Sequence, residues 1–300
     1  MCGIACLLLK DDSLQSRLGE LMVPMVQAME ERGADSAGIA IFGPGEPAGL
    51  RFSLLAKPGV NWEDLAADLA GEVGADVTLG RRAGANGTIA TLLCDSDPLV
   101  FSKALEAVVP SVALLGWGRS VEVLKATGAP SQMCEEYGIG NLAGHIGLAH
   151  TRMATESAVT AEHSHPFVPS QDLAIVHNGS FSNHATVRRR LEAEGIRLDT
   201  DNDSEVAARF LALRLGEGDS LDGAVRHLTV EMDGFFTLVV ATADEISVVR
   251  DAFSCKPAVV AETEDYVAVA SEYRALATLP GIELAKVFEP QPEEVYTWSR

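Results

Sequence analysis

The chain has 300 residues, room for one large domain or two small ones, and its 47% hydrophobic and 22% charged residues are the balance of a globular protein with a real core. Against 23 Lys and Arg stand 43 Asp and Glu, a formal net charge of -20, which excludes the basic footprint that nucleic acid or an anionic membrane surface requires. The five cysteines, Cys2, Cys6, Cys94, Cys134 and Cys255, are odd in number and scattered. They suggest neither a disulfide framework nor a Cys-x-x-Cys metal site, and a reducing, cytoplasmic setting is expected.

MCGIACLLLK opens the chain, and 2–9 reads as a buried strand. Its apolar run is too short for a secretory signal and meets Lys10-Asp11-Asp12 at once. Residues 14–30 read as a helix with an apolar face at Leu14, Leu18, Leu21, Met22 and Met25. Pro24 inside it predicts a kink or a late start. RGADSAGIAIF then gives a glycine-bearing turn running into a strand over 37–42. From about 59 to 140 the character changes. WEDLAADLAGEV is an amphipathic helix, 88–95 a strand, and DPLVFSKALEAVV a helix with Asp97 as N-cap before Pro98. SVALLGWG is a strand and SQMCEEYG a short helix. This stretch reads as an α/β insertion without a chemical motif. Its most apolar run, 108–117, is too short to span a bilayer and is broken by Pro110.

Special residues are dense beyond His145. A strand over 146–150 leads into HTRMAT. DLAIVHNGSFSNH reads as strand, tight turn, then helix, with Leu191 of the helix facing inward. DTDNDSEVAARFLALRL is an acidic loop capping a helix at Asp203 or Ser204. GFFTLVVATADEISVVRD and PAVVAETEDYVAVA read as hairpins, the second followed by a short helix. Strands in both halves with helices between them suggest two stacked sheets with helices outside.

Four features carry chemistry. Cys2 is either a small residue starting a strand or, once Met1 is removed, a residue holding a thiol and a free α-amine together. An unperturbed α-amine titrates near ~8 and an unperturbed thiol near ~8.5, so one group can take the other's proton. Arg152 is either a surface ion-pair partner or a bidentate carboxylate holder. Asn178-Gly179 is either a hairpin turn or two donors aimed at one oxyanion. Asp203 caps a helix or holds an ammonium group. A nucleophile, a carboxylate binder, an oxyanion site and an ammonium binder together describe a glutamine-hydrolysing site.

The sequence resembles the class II glutamine amidotransferases, N-terminal nucleophile hydrolases that include the glutaminase domains of glutamate synthase, amidophosphoribosyltransferase and glucosamine-6-phosphate synthase. The matching stretches are Cys2-Gly3-Ile4, RGADSAG (32–38), HTRMAT (150–155), HPF (165–167), HNG (177–179), NDSE (202–205), RD…KP (250–257) and ASEYRAL (270–276). The resemblance implies an α+β fold, a four-layer αββα sandwich over 2–300 with an α/β insertion at 59–140. It implies Cys2 as nucleophile with its α-amine as base, and Asn178 and Gly179 as the oxyanion site. Arg152 and Thr155 would hold the substrate α-carboxylate, and Asp203 the α-ammonium. It implies no metal or cofactor in this chain. Three departures stand out: Glu156 follows the Thr, His165 stands where Gln is usual, and the insertion is long.

The chain leaves no room for a synthase domain after Trp298, so a separate synthase polypeptide is expected. The insertion, HTRMATESAV, GSFSNH, CKPAVVAET and SEYRALATLPGIE are similar to the glutamate-synthase-related subunit of N-methylglutamate synthase (methylamine–glutamate N-methyltransferase). That implies a hetero-oligomer with glutamate-synthase-like partner subunits carrying FMN and an iron–sulfur cluster, converting methylamine and glutamate to N-methylglutamate and ammonia. Three alternatives stay open: the glutaminase subunit of an ordinary glutamate-synthase-like enzyme, a catalytically silent scaffold or amino-acid sensor, and a site for γ-glutamyl methylamide.

Overall fold

All seven residues of GIACLLL are apolar or glycine, and all seven are buried in β1 (Gly3–Leu9), a strand covered on both faces. The structure, a computed structural model, describes residues 2–47, 49–84, 87–153, 160–161 and 163–300. After β1 come α1 (Leu18–Ala28), β2 (Ser36–Phe42), β3 (Leu50–Leu55), α2 (Trp62–Val73), β4 (Val77–Ala83), β5 (Ile89–Cys94), α3 (Pro98–Val108), β6 (Ala113–Gly118), β7 (Val121–Thr127), α4 (Pro130–Glu136) and β8 (Ile146–Arg152). The second half holds β9 (Phe167–Ser170), β10 (Leu173–Phe181), α5 (His184–Ala193), α6 (Asp203–Gly216), α7 (Leu221–Glu231), β11 (Gly234–Ala241), β12 (Glu245–Arg250), β13 (Val259–Glu262), β14 (Tyr266–Ala270), α8 (Tyr273–Leu276), β15 (Lys286–Phe288) and β16 (Tyr296–Ser299).

Two sheets stack. One has the order β15-β13-β14-β1-β8-β2-β7, the other β16-β12-β11-β10-β9. Alternation along the second sheet shows what lies on each side of it. Ala174, Val176, Val239, Ala241, Ile246 and Val248 join the core formed with β1, β2, β8 and β14. Leu173, Ile175, Leu238, Val240 and Val249 pack instead with α5, α6 and α7. On the far side, α1 and α4 pack on the first sheet, with α8 against α1. The layers are therefore αββα, as expected.

The first helix starts late: a 3-10 turn occupies Asp12–Arg17, and α1 begins at Leu18, burying Leu18, Leu21, Met22, Met25 and Val26. Pro24 lies inside it, where it removes one backbone donor.

A third sheet, β4-β5-β3-β6, has a core of its own around Phe52, Trp62, Leu92 and Phe101. Phe52 and Phe101 stack at 3.7 Å. Asn61 caps α2 and Asp97 caps α3, each accepting from two backbone N–H groups. This sheet starts at Leu50 and ends at Gly118, so it does not coincide with the expected 59–140 stretch. Residues beyond it return to the main body, because β7 pairs with β2 along its whole length and α4 packs on α1.

A buried carboxylate ties the exit of the third sheet to the sandwich. Asp172, buried in the turn between β9 and β10, accepts from the backbone N–H groups of Arg119, Ser120 and Val121 at 2.9, 2.8 and 3.0 Å and from Ser120 Oγ at 2.8 Å. A Cβ on Gly118 would lie 2.2 Å from its Oδ1, so glycine is required there. No described helix is long and apolar enough to cross a membrane. Replacing Asp172 with Ala leaves three backbone donors and a hydroxyl without this acceptor. The expected loss is about 3 kcal/mol in urea unfolding.

Candidate active site

The site lies where β1 and β8 end side by side. Gly3 pairs with Thr151 across the ladder, which brings Cys2 beside Arg152 and Met153. Cys2 Sγ lies 3.9 Å from Met153 O. The Cys-Gly-Ile order has a steric reason: a Cβ on Gly3 would come within 2.8 Å of both Met29 Cβ and Thr151 Oγ1. Gly33 of RGADSAG is constrained in the same way, since its Cβ would lie 2.5 Å from the Arg152 carbonyl carbon. That close approach lets Asp35 N–H donate to Arg152 O at 3.1 Å. Arg152 itself is buried as the last residue of β8; the expectation that it follows the strand is corrected by its pairing with Ser36.

Asn178 and Gly179 do not form a turn. β10 continues through them to Phe181, because Ser180 and Phe181 keep pairing with Phe235 and Gly234 of β11. Gly179 has φ +139, and a Cβ there would sit 1.9 Å from Phe235 O, so a side chain at this position is excluded. Asn178 is buried, and its Nδ2 donates to Cys2 O at 2.9 Å. The other N–H of this amide remains available to a second acceptor.

Neither Asp203 nor Ser204 caps α6. Asn202 does, accepting from Ser204 N–H at 2.9 Å. Asp203 is the first helical residue, and its Oδ2 accepts from Phe181 N–H at 2.8 Å, tying the end of β10 to α6. Ser204 Oγ lies 3.3 Å from Asp203 Oδ1 and 2.9 Å from His177 Nδ1. The buried Glu205 accepts from Asp199 N–H, Thr200 N–H and Thr200 Oγ, and so fixes the acidic loop before the helix. Thr155 and Glu156 lie outside the described residues.

Cys2, Asn178 and the end of β8 are thus in direct contact. Gly179 adjoins them along β10, and Asp203 is joined through Phe181. Sequence reasoning missed Arg32. Its Nε donates to Cys2 O at 2.9 Å from a side chain only 8% exposed. RGADSAG marked the position without showing that the side chain turns inward.

Comparison with known proteins places the chain in a family. A family model described as a glutamine amidotransferase domain matches residues 150–278. The chain is 44% identical to the glutamine amidotransferase-like protein GlxB of Rhizobium meliloti, over 99% of this chain and 98% of that protein. The chain belongs to the class II glutamine amidotransferase family. A putative glutamine amidotransferase of Methanothermobacter thermautotrophicus is 31% identical over 98% of both chains. The amidophosphoribosyltransferase of Methanocaldococcus jannaschii is 30% identical over 58% of this chain and 37% of its own length. Among solved structures, the glutamine phosphoribosylpyrophosphate amidotransferase of B. subtilis aligns with a TM-score of 0.60 at 16% identity. It covers 99% of this chain and 49% of that one, a likeness of fold.

Behind Cys2 of this amidotransferase three imidazoles are buried together. His150 and His165 have ring centroids 4.2 Å apart, and His165 and His177 6.2 Å apart. His150 Nε2 meets His177 O at 3.1 Å. Among the described residues, His150 Nδ1, both ring nitrogens of His165 and His177 Nε2 have no hydrogen-bond partner. No described group of three or more His, Cys, Asp or Glu is placed to hold a metal ion.

Burial, with repulsion from His177, pushes His150 down to about 3. Burial, the two neighbouring imidazoles, Lys125 and Arg152 drive His165 well below its ordinary value. His177 is lowered by burial, an effect opposed by Asp203 and reinforced by Lys256. The unfolded chain takes up protons on these rings below about pH 6.5 while the folded chain does not. Stability is therefore full above pH 6.5 and falls as the pH drops toward the folded value, by about 1.4 kcal/mol per pH unit for His150 and for His165. His165→Gln should remove about 2 kcal/mol of the stability lost between about pH 7.5 and about pH 5 in urea unfolding.

Proposed function

We propose that this chain is a glutaminase subunit that releases ammonia from glutamine through Cys2 and serves a separate glutamate-synthase-like enzyme, in the finer reading N-methylglutamate synthase. The observation that carries the glutaminase reading is the 2.9 Å contact of Asn178 Nδ2 with Cys2 O. It sets the candidate oxyanion donor directly beside the candidate nucleophile.

With Met1 removed, the Cys2 α-amine accepts the thiol proton, and the sulfur attacks the side-chain carbonyl carbon of glutamine. The oxygen that becomes negative is received by the free Asn178 N–H and the Gly179 N–H, donors fixed by β10 before the reaction starts. As the tetrahedral adduct collapses, the C–N bond breaks and the α-amine returns a proton to the leaving nitrogen, giving ammonia. Water then attacks the γ-glutamyl thioester, releasing glutamate and restoring the thiol. Arg152 at the end of β8 receives the α-carboxylate, joined by Thr155. Asp203 receives the α-ammonium with the carboxylate that Phe181 N–H holds in place.

The separate synthase is supported by the relatives. This chain spans 98% of the GlxB protein, but 37% of the amidophosphoribosyltransferase and 24% of a mycobacterial glutamine–fructose-6-phosphate aminotransferase. FMN and an iron–sulfur cluster would sit on the partner subunits, which would join methylamine to glutamate.

Purified alone, the mature chain should have an intact mass lacking Met1 and release glutamate from glutamine, and Cys2→Ala should abolish that release. Retained Met1, or no hydrolysis even with the partner subunits present, overturns the reading. Asn178→Ala should lower kcat by about 100- to 1,000-fold. Co-purification followed by assay with glutamine, glutamate, ammonia and methylamine separates N-methylglutamate synthase from an ordinary glutamate synthase: formation of N-methylglutamate is expected, and glutamate formation alone overturns the finer reading.

A further inference from the structure

Two motifs, RGADSAG and ASEYRAL, meet at the nucleophile, yet the reaction above uses neither. Arg32 Nε donates to Cys2 O, while its Nη1 donates to Glu272 Oε1 at 2.7 Å. The other carboxylate oxygen of Glu272 lies 2.8 Å from Arg274 Nε, and Arg274 Nη1 lies 2.6 Å from Glu31 Oε2. Glu31 precedes Arg32, so four alternating charges close a ring between the 3-10 turn Glu30–Arg32 and the start of α8. Ser271 completes the grip on the same strand: Ile4 N–H donates to its Oγ at 3.0 Å, and its own N–H donates to Ile4 O at 3.0 Å.

This ring is graded. Its outer members, Arg274 and Glu31, are 41% and 82% exposed at the side chain, where an ion pair contributes little. Glu272 is 33% exposed and Arg32 8%. Hydrogen bonding from Arg32, with help from Arg274, holds the Glu272 carboxyl below its ordinary range. The charge is therefore retained at the inner end, where a buried guanidinium needs it.

We propose that Glu272, acting through Arg32, is a positioning residue for Cys2. The carboxylate sets the plane of the guanidinium, and the guanidinium sets the Cys2 carbonyl. The carbonyl in turn fixes the backbone rotation that aims the thiol and the α-amine. Asn178 holds the same oxygen from the opposite sheet, so loss of Arg32 leaves it with one anchor and freedom to turn about it. This inference rests on the glutaminase reading for its kinetic effect and is independent of that reading for the geometry of Cys2.

The test uses Glu272→Gln, which keeps shape and loses charge, and Arg32→Lys, which keeps charge and loses the Nε donor. Each should lower kcat for glutamine hydrolysis by about 10- to 100-fold with KM within about twofold, because substrate contacts are untouched and alignment is not. Wild-type kcat in both variants, or a loss confined to KM, overturns the proposal while Cys2→Ala still reports on the nucleophile. A second measurement needs no glutamine. Iodoacetamide labelling of Cys2, read by peptide mass after digestion against the exposed Cys255 in the same molecule, should change by about threefold or more in each variant. An unchanged ratio overturns the proposal even if the enzyme hydrolyses no glutamine at all.

Discussion

The carbonyl oxygen of Cys2 joins the two sheets at the site. Arg32 reaches it from the seven-stranded sheet's side and Asn178 from the five-stranded sheet. An acceptor held by two donors, one of them charged, resists displacement far more than a residue at a chain end ordinarily does. Everything the site requires of Cys2 follows from that. Its thiol lies 3.9 Å from Met153 O, and Asn178 spends one amide N–H on the contact. The same contact requires the two sheets to stay in register, so packing of the core between them also bears on chemistry at its edge.

Glycines make that contact possible. Gly3 lets β1 approach Met29, Gly33 lets the turn after α1 cross over the Arg152 carbonyl, and Gly179 lets β10 lie against the backbone of β11. In each case a methyl group would occupy a position already filled by backbone or by a packed side chain. The family's short motifs are thus largely steric permissions around a few polar groups. The three buried imidazoles behind them are the cost of so polar a strand end: with the second sheet and its helices packed over it, the histidines stay neutral.

Much of this was legible in the sequence because apolar periodicity and caps are local. GIACLLL, SAGIAIF and the hairpin over 234–250 declare themselves as buried strands, and Asp97 before Pro98 declares a helix start. The misreadings share one cause, which is that the deciding partner is far away in the chain. Asn178-Gly179 has the composition of a turn, but β11 extends the strand past it. Asp203 has the composition of a cap, but Phe181 N–H claims its carboxylate. The strand LRFSLL carries Arg51 and lies before the compositional change at 59, so the third sheet began earlier than the pattern suggested. Arg32 was unreadable for the same reason: an arginine beside two glutamates looks solvated until Glu272, 240 residues on, is seen to hold it.

The place of β1 also sets an order of assembly. It precedes both of its partners in the chain, and it lies between β8 and β14 in the middle of its sheet. Its last partner, Tyr266–Ala270, is made some 260 residues later, a delay of roughly ten seconds to a minute at ribosomal rates. Until then the apolar strand has an unpaired edge, and Ser271 and Glu272 are not there to grip it. The nascent chain therefore carries an unpaired apolar strand edge until β14 is made.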